Sequence, residues 1–157
     1  MTTEKELSIR YNEYPSVESL PDADRRLMEA AIRATAAAYA PYSHFSVGAA
    51  AMLDDGTIVT GSNQENVAYP SGLCAERTAL FAAGAQHPDR AVTALAIVAR
   101  TPEGNLVEAS PCGACRQVMA ETQKRGGMPL RVLMYIGGGG IREVEGTDAL
   151  LPFSFSF

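Results

Sequence analysis

Apolar and polar positions follow two periods along the chain, and the switches between them mark the elements. Residues 1–18 carry no clear periodicity and read as an N-terminal extension, either a mobile tail or a strand or arm packed on a partner subunit. Ser19-Leu20-Pro21-Asp22 reads as a helix start, with a capping hydroxyl, a Pro in the first turn and an acid at the positive end. Leu27, Ala30, Ala31, Ala34 and Ala38 follow at helical spacing, a face narrow enough to pack closely on a sheet, until Pro41 stops the helix. Val47–Leu53 and Thr57–Ser62 are apolar runs joined by Asp54-Asp55-Gly56, a hairpin signal. Cys74–Ala85 predicts a second helix, Val92–Ala99 a buried strand, Gly113–Arg125 a third helix ended by Gly126-Gly127, and Arg131–Ile136 a strand.

Gly137–Gly140 then separates that strand from a short polar one, Ile141–Glu145. Neither a Lys-Ser/Thr pair nor a helix follows the glycines, so they read as a turn and not a phosphate loop. Parallel neighbours need a crossover of a dozen or more residues, so these two strands, if paired, are antiparallel. The order of elements predicts an α/β fold: a mixed five-stranded sheet covered by helices on both faces, in one domain spanning 19–157.

Composition changes this picture in three ways. The 157 residues include 14 Gly and 9 Pro, short of the low-complexity range, and they show no internal repeat. Net charge is −5 with no basic run, which argues against a nucleic-acid partner. No segment approaches the ~20 apolar residues of a membrane span, and the charged N-terminus lacks a signal-peptide core, so a cytoplasmic setting is expected. Three Cys are an odd number, which excludes a fully paired disulfide framework. In a reducing compartment such cysteines are more often metal ligands or catalytic groups.

All three cysteines fall where helices begin, in Cys74-Ala75-Glu76-Arg77 and Pro111-Cys112-Gly113-Ala114-Cys115. A helix N-terminus lowers a thiol pKa and favours the metal-binding thiolate. Cys112 and Cys115 are one turn apart and can face a single ion, with Cys74 arriving from the other helix. Structural zinc sites close with four protein ligands, whereas catalytic ones leave a position for water, whose pKa the ion lowers towards neutrality. His44 and His87 both read as surface or packing residues, so the fourth position stays open. Glu76 is placed to take a proton from that water and pass it on. Arg77 offsets the net −1 that three thiolates impose on a divalent ion.

These two patches, CAERTA and PCGACRQ, resemble the zinc-dependent nucleoside deaminases, specifically the small three-cysteine cytidine deaminases. Ala40–Ala49 (APYSHFSVGA), Gly61–Thr78 (GSNQENVAYPSGLCAERT) and Leu150-Leu151-Pro152 agree, and the similarity covers residues 25–157. The resemblance implies a three-layer α/β/α fold, one zinc per chain on Cys74, Cys112 and Cys115, and Glu76 as proton shuttle. It also implies Phe45 stacking on the pyrimidine, and Asn63 and Glu65 bonding the ribose hydroxyls. It further implies a homotetramer in which neighbours complete each site. Tyr69 lies in the loop that reaches across, and the spacing Leu-Leu-Pro-x-x-Phe points to Phe155, with Phe153 as the alternative. Three Phe at a chain end make a sticky patch on a monomer, which independently favours a partner.

The implied reaction is hydrolytic deamination of cytidine or deoxycytidine to the uridine product and ammonia, a step of pyrimidine salvage. A polynucleotide editor predicts His in place of Cys74, a helical crossover before the last strand and a basic surface. A deaminase of blasticidin-type nucleosides shares the cysteine pattern, yet the stretch Asn63-Gln64-Glu65-Asn66 favours the ordinary nucleoside. A non-catalytic zinc module requires a fourth protein ligand, and the sequence offers none.

Overall fold

The computed structural model describes residues 1–157. Its elements are β1 (Asn12–Tyr14), α1 (Asp22–Ala34), β2 (Ser46–Leu53), β3 (Ile58–Ser62), α2 (Ala75–Gln86), β4 (Val92–Arg100), β5 (Leu106–Val107), α3 (Gly113–Gly126), β6 (Arg131–Tyr135) and β7 (Ile141–Glu145). One sheet runs β1-β7-β6-β4-β2-β3, with β5 paired to the end of β4. Only β4 and β6 are parallel, joined through α3; β6 and β7 are antiparallel as the short glycine turn requires.

The sheet therefore has seven strands, not the expected five. Both additions are too short for a period-two pattern, at three and two residues. β1 comes from the N-terminal extension and is held by distant side chains. Asn12 Nδ2 and Tyr14 Oη both donate to Glu143 Oε2. Glu13 accepts from Arg142, whose guanidinium also lies 5.2 Å from the Tyr11 ring centre. β1 thus pairs with β7 of its own chain.

The start of α1 also differs from expectation. Pro21 is its N-cap, while the Ser19 hydroxyl turns back to donate to Ser16 O. The regular helix ends at Ala34, well before Pro41. Thr35 closes a tighter turn by donating from its hydroxyl to Ile32 O.

Period-two alternation in β2 and β4 divides the core. Ala49, Ala51, Leu95 and Ile97 belong to one cluster with residues of α2 and α3, including Ala75, Ala79 and Met119. Ala50, Ala94, Ala96 and Val98 belong to another with Leu27, Met28 and Ala31 of α1. Small strand residues let the helices approach closely. A Cβ on Gly48 would lie 2.0 Å from Ala31 O, and one on Gly61 would lie 2.4 Å from the Ala79 amide nitrogen of α2.

One ion cluster ties β1, α1, β6 and β7 together. Arg131 forks onto both oxygens of Asp24 at 2.9 Å and reaches Glu143 at 2.9 Å. The two carboxylates are only 7% and 9% exposed. Removing their partner strands buried charge, which costs about 3–5 kcal/mol. Arg131→Ala is therefore expected to lower Tm by roughly 10 °C, given ~2–4 °C per kcal/mol at this size. A thermal melt shifted by less than about 3 °C contradicts this role.

Candidate active site

The sequence places Cys74 and Cys112 at equivalent positions, the N-caps of α2 and α3, both with extended backbone. Cys115 follows on the first turn of α3 and is fully buried. The sulfurs of Cys74 and Cys112 are 3.9 Å apart, and those of Cys112 and Cys115 3.5 Å. All three lie within 4.8 Å of one another. Tetrahedral zinc with Zn–S bonds of ~2.3 Å needs sulfurs roughly 3.8 Å apart, so the trio fits that ion. No His joins it. His44 is an exposed loop residue and His87 caps the far end of α2.

Electrostatics suit an anionic metal site. The Cys74 thiol falls to about 5, chiefly because Cys115 hydrogen-bonds to it, with Arg77 adding to the effect against the cost of burial. Cys115 moves upward for the complementary reason, as the thiol that donates to Cys74. Arg77 Nη2 sits 3.5 Å from Cys74 Sγ, and its Nε is a buried donor without a protein partner. A guanidinium so placed offsets the excess negative charge of three thiolates.

Glu76 occupies the first turn of α2 and is 4% exposed. Burial pushes its carboxyl up to about 7, and the neighbouring Cys74 thiolate adds to the rise. At about 7 the group is balanced between its two forms near neutrality; a bound divalent cation would pull the value down and favour the carboxylate that accepts a proton.

Cys74, Glu76 and Cys112 line a cavity of about 720 Å³ together with Phe45, Asn63 and Glu65. That volume lies within the ~300–1,000 Å³ of small-molecule sites. Asn63 follows β3 and pins the start of β2: its Oδ1 accepts from Val47 N–H at 2.8 Å and its Nδ2 donates to Phe45 O at 2.8 Å. Glu65 accepts from the Tyr42 and Ser43 backbone N–H groups. Tyr69 lines the same cavity within this chain and is 82% exposed. Phe155 does not line it; the tail runs beside α3, where Gln117 Nε2 donates to Phe155 O and Lys124 Nζ to Phe157 O.

Sequence reasoning missed Ser43 and Glu108 as cavity residues. Ser43 lies inside the APYSHFSVGA stretch, so a signal was present. Glu108, in the link between β5 and α3, carried none.

A trio of cysteine sulfurs with a buried carboxyl group, set on an α/β scaffold beside a small-molecule cavity, defines a zinc-dependent enzyme domain. Residues 21–126 match the family described as the cytidine and deoxycytidylate deaminase zinc-binding region, and the chain belongs to that family. It is 44% identical over 132 residues to a cytidine deaminase of Halalkalibacterium halodurans, covering 83% of this chain and 92% of that one. A Sporosarcina psychrophila cytidine deaminase is 46% identical over 133 residues, at 83% and 90% coverage. Among solved structures, a cytidine deaminase from Burkholderia pseudomallei superposes with a TM-score of 0.70 at 42% identity, covering 83% of this chain and 97% of that one. The family match begins at residue 21, so β1 lies outside it.

Proposed function

We propose that the chain hydrolytically deaminates cytidine and deoxycytidine, releasing ammonia, as a step of pyrimidine salvage. The observation that carries this reading is the meeting of Cys74, Cys112 and Glu76 with Phe45, Asn63 and Glu65 around one cavity. Cys74, Cys112 and Cys115 would hold the zinc, which when bound would lower the pKa of a water enough for attack on the amine-bearing ring carbon at neutral pH. Glu76 takes one proton from the water and passes it to ring N3. It then takes the second from the hydroxyl added to the ring carbon and passes it to the departing amine, leaving a carbonyl and ammonia with the carboxylate restored. Arg77 stabilises the thiolate cluster. Phe45 stacks on the pyrimidine, while Asn63 and Glu65 hold the ribose hydroxyls.

Lining charge supports a nucleoside over a nucleotide. The charged residues around the cavity are Glu65, Glu76, Arg77 and Glu108, and the single cation is engaged with Cys74. A phosphate therefore meets acids and no free guanidinium or ammonium. The antiparallel β6–β7 pair and the net charge of −5 likewise weigh against a polynucleotide substrate.

The three-layer α/β/α arrangement is supported by the two core clusters that draw on alternate residues of β2 and β4. Residues 1–18 form the extension and 19–157 the catalytic domain in this reading. We extend it to a homotetramer whose sites Tyr69 and Phe155 of neighbouring chains complete. Support comes from exposed apolar surface: Tyr69 is 82% exposed, Phe153 99%, Phe155 72% and Phe157 100%. No helix is long and apolar enough to cross a membrane, and the cytoplasm remains the expected location.

The test is ammonia release from cytidine, deoxycytidine, cytosine, CMP and blasticidin S. Turnover of the two nucleosides is expected. Turnover confined to CMP overturns the substrate, and none at all revives a zinc module used for assembly.

A further inference from the structure

The loop entering β2 contains a hydroxyl that the reading above does not use. Ser43 Oγ donates to Glu65 Oε1 and at the same time accepts the Phe45 backbone N–H at 3.1 Å. Glu65 Oε2 accepts from Tyr42 N–H at 2.9 Å and from Ser43 N–H at 3.3 Å. Between Ser43 and Phe45, His44 takes a left-handed backbone with φ of 55°, a conformation that only surrounding bonds hold for such a residue.

Counting donors and lone pairs sharpens what this arrangement does. A serine hydroxyl has one proton, and here it goes to Glu65, so the oxygen faces Phe45 as an acceptor. A carboxylate has about four acceptor sites, of which three are occupied, leaving one on Oε1 for a ligand hydroxyl. Phe45 is pinned from both sides, its N–H by Ser43 and its carbonyl by Asn63.

We infer that Ser43 is a positioning residue that locks the Glu65 carboxylate and the Phe45 ring into one rigid unit, fixing the sugar end and the base end of the ligand together. It touches no reacting atom. Its contribution is preorganisation, paid in folding and returned in binding. The inference rests on the roles proposed above for Glu65 and Phe45.

Steady-state ammonia release from cytidine by the zinc-loaded wild type, Ser43→Ala and Ser43→Thr tests it. Losing one hydrogen bond to a charged group is expected to raise KM about tenfold in Ser43→Ala, with kcat within about twofold. Ser43→Thr keeps the hydroxyl and is expected to return KM to within about threefold of wild type. Zinc content should not move, and Tm should fall by no more than about 3 °C, because Ser43 is exposed. A wild-type protein that releases no ammonia overturns both this inference and the function it rests on. Wild-type turnover with an unchanged KM in Ser43→Ala overturns the inference alone. So does a joint loss of kcat and Tm that Ser43→Thr fails to rescue.

Discussion

Replacing Glu76 by glutamine is expected to leave one zinc per chain in place while kcat falls by about 10²–10⁴-fold, the range for a positioned proton-transfer group. The amide matches the carboxylate in size and keeps its place on α2, 4% exposed beside the thiolates. It neither accepts the water's proton nor returns one to the ring. Metal analysis and ammonia release on the same sample decide the matter. Activity within tenfold of wild type, with zinc intact, removes Glu76 from the mechanism.

The same variant makes a second, metal-free prediction whose sign follows from burial. Glu76 is raised from 4.5 to about 7 in the folded chain, so folding favours its protonated form. That contribution is fully present below about 4.5 and is lost as pH rises through about 7, a change of up to roughly 3 kcal/mol. The amide that replaces it has nothing to ionise. After chelation, Glu76→Gln should therefore melt above wild type at pH 8 and close to it at pH 4. The opposite order shows that the carboxylate is stabilised in the fold, against the reading of the pocket.

The second large effect is expected from Cys112→Ala. Cys112 is exposed, unlike Cys115, so its truncation leaves no cavity in the core. Two thiolates remain where tetrahedral zinc requires more. Affinity should fall by more than the ~10–100-fold that loss of an outer-sphere partner costs. After dialysis against a mild chelator, wild type should retain its zinc, and the variant should lose both zinc and ammonia release. Cys115→Ala is a poorer probe, since it also removes a fully buried core side chain. A Cys112→Ala protein that stays stoichiometric in zinc places the metal elsewhere.

Those two side chains were legible in the sequence because their chemistry is local. A cysteine at a helix start, a second one turn later and a glutamate two residues beyond a third carry their meaning in their spacing. The hairpin at Asp54-Asp55-Gly56 was legible for the same reason, and Gly56 takes the positive φ of 84° that the turn demands. β1 was hidden because three residues carry no period, and Tyr14 finds Glu143 of β7 only across 129 positions of chain. The cap of α1 was misread because Ser16 competed for the Ser19 hydroxyl. Asn63, a plausible turn residue on its own, gains its role from Phe45 and Val47, which only the hairpin brings alongside. The loop lock at Ser43 has the same origin. Local chemistry could be read directly, and contacts made by tertiary pairing could not.

The single parallel pairing, β4 with β6, bears on how the protein must be handled before it is complete. Sheets built from distant pairings fold slowly, and here β2 waits for β4, β4 for β6, and β1 for β7. Until α2 and α3 dock, three reactive thiols are present with no ion between them. An oxidant reaching the chain in that interval cross-links them in whatever pairs collide, and the odd sulfur is left to capture a second molecule. Refolding with a reductant and stoichiometric zinc should accordingly yield more active protein than either alone. Recovery of active protein from the unfolded chain is thus expected to depend on metal being present while α2 and α3 dock.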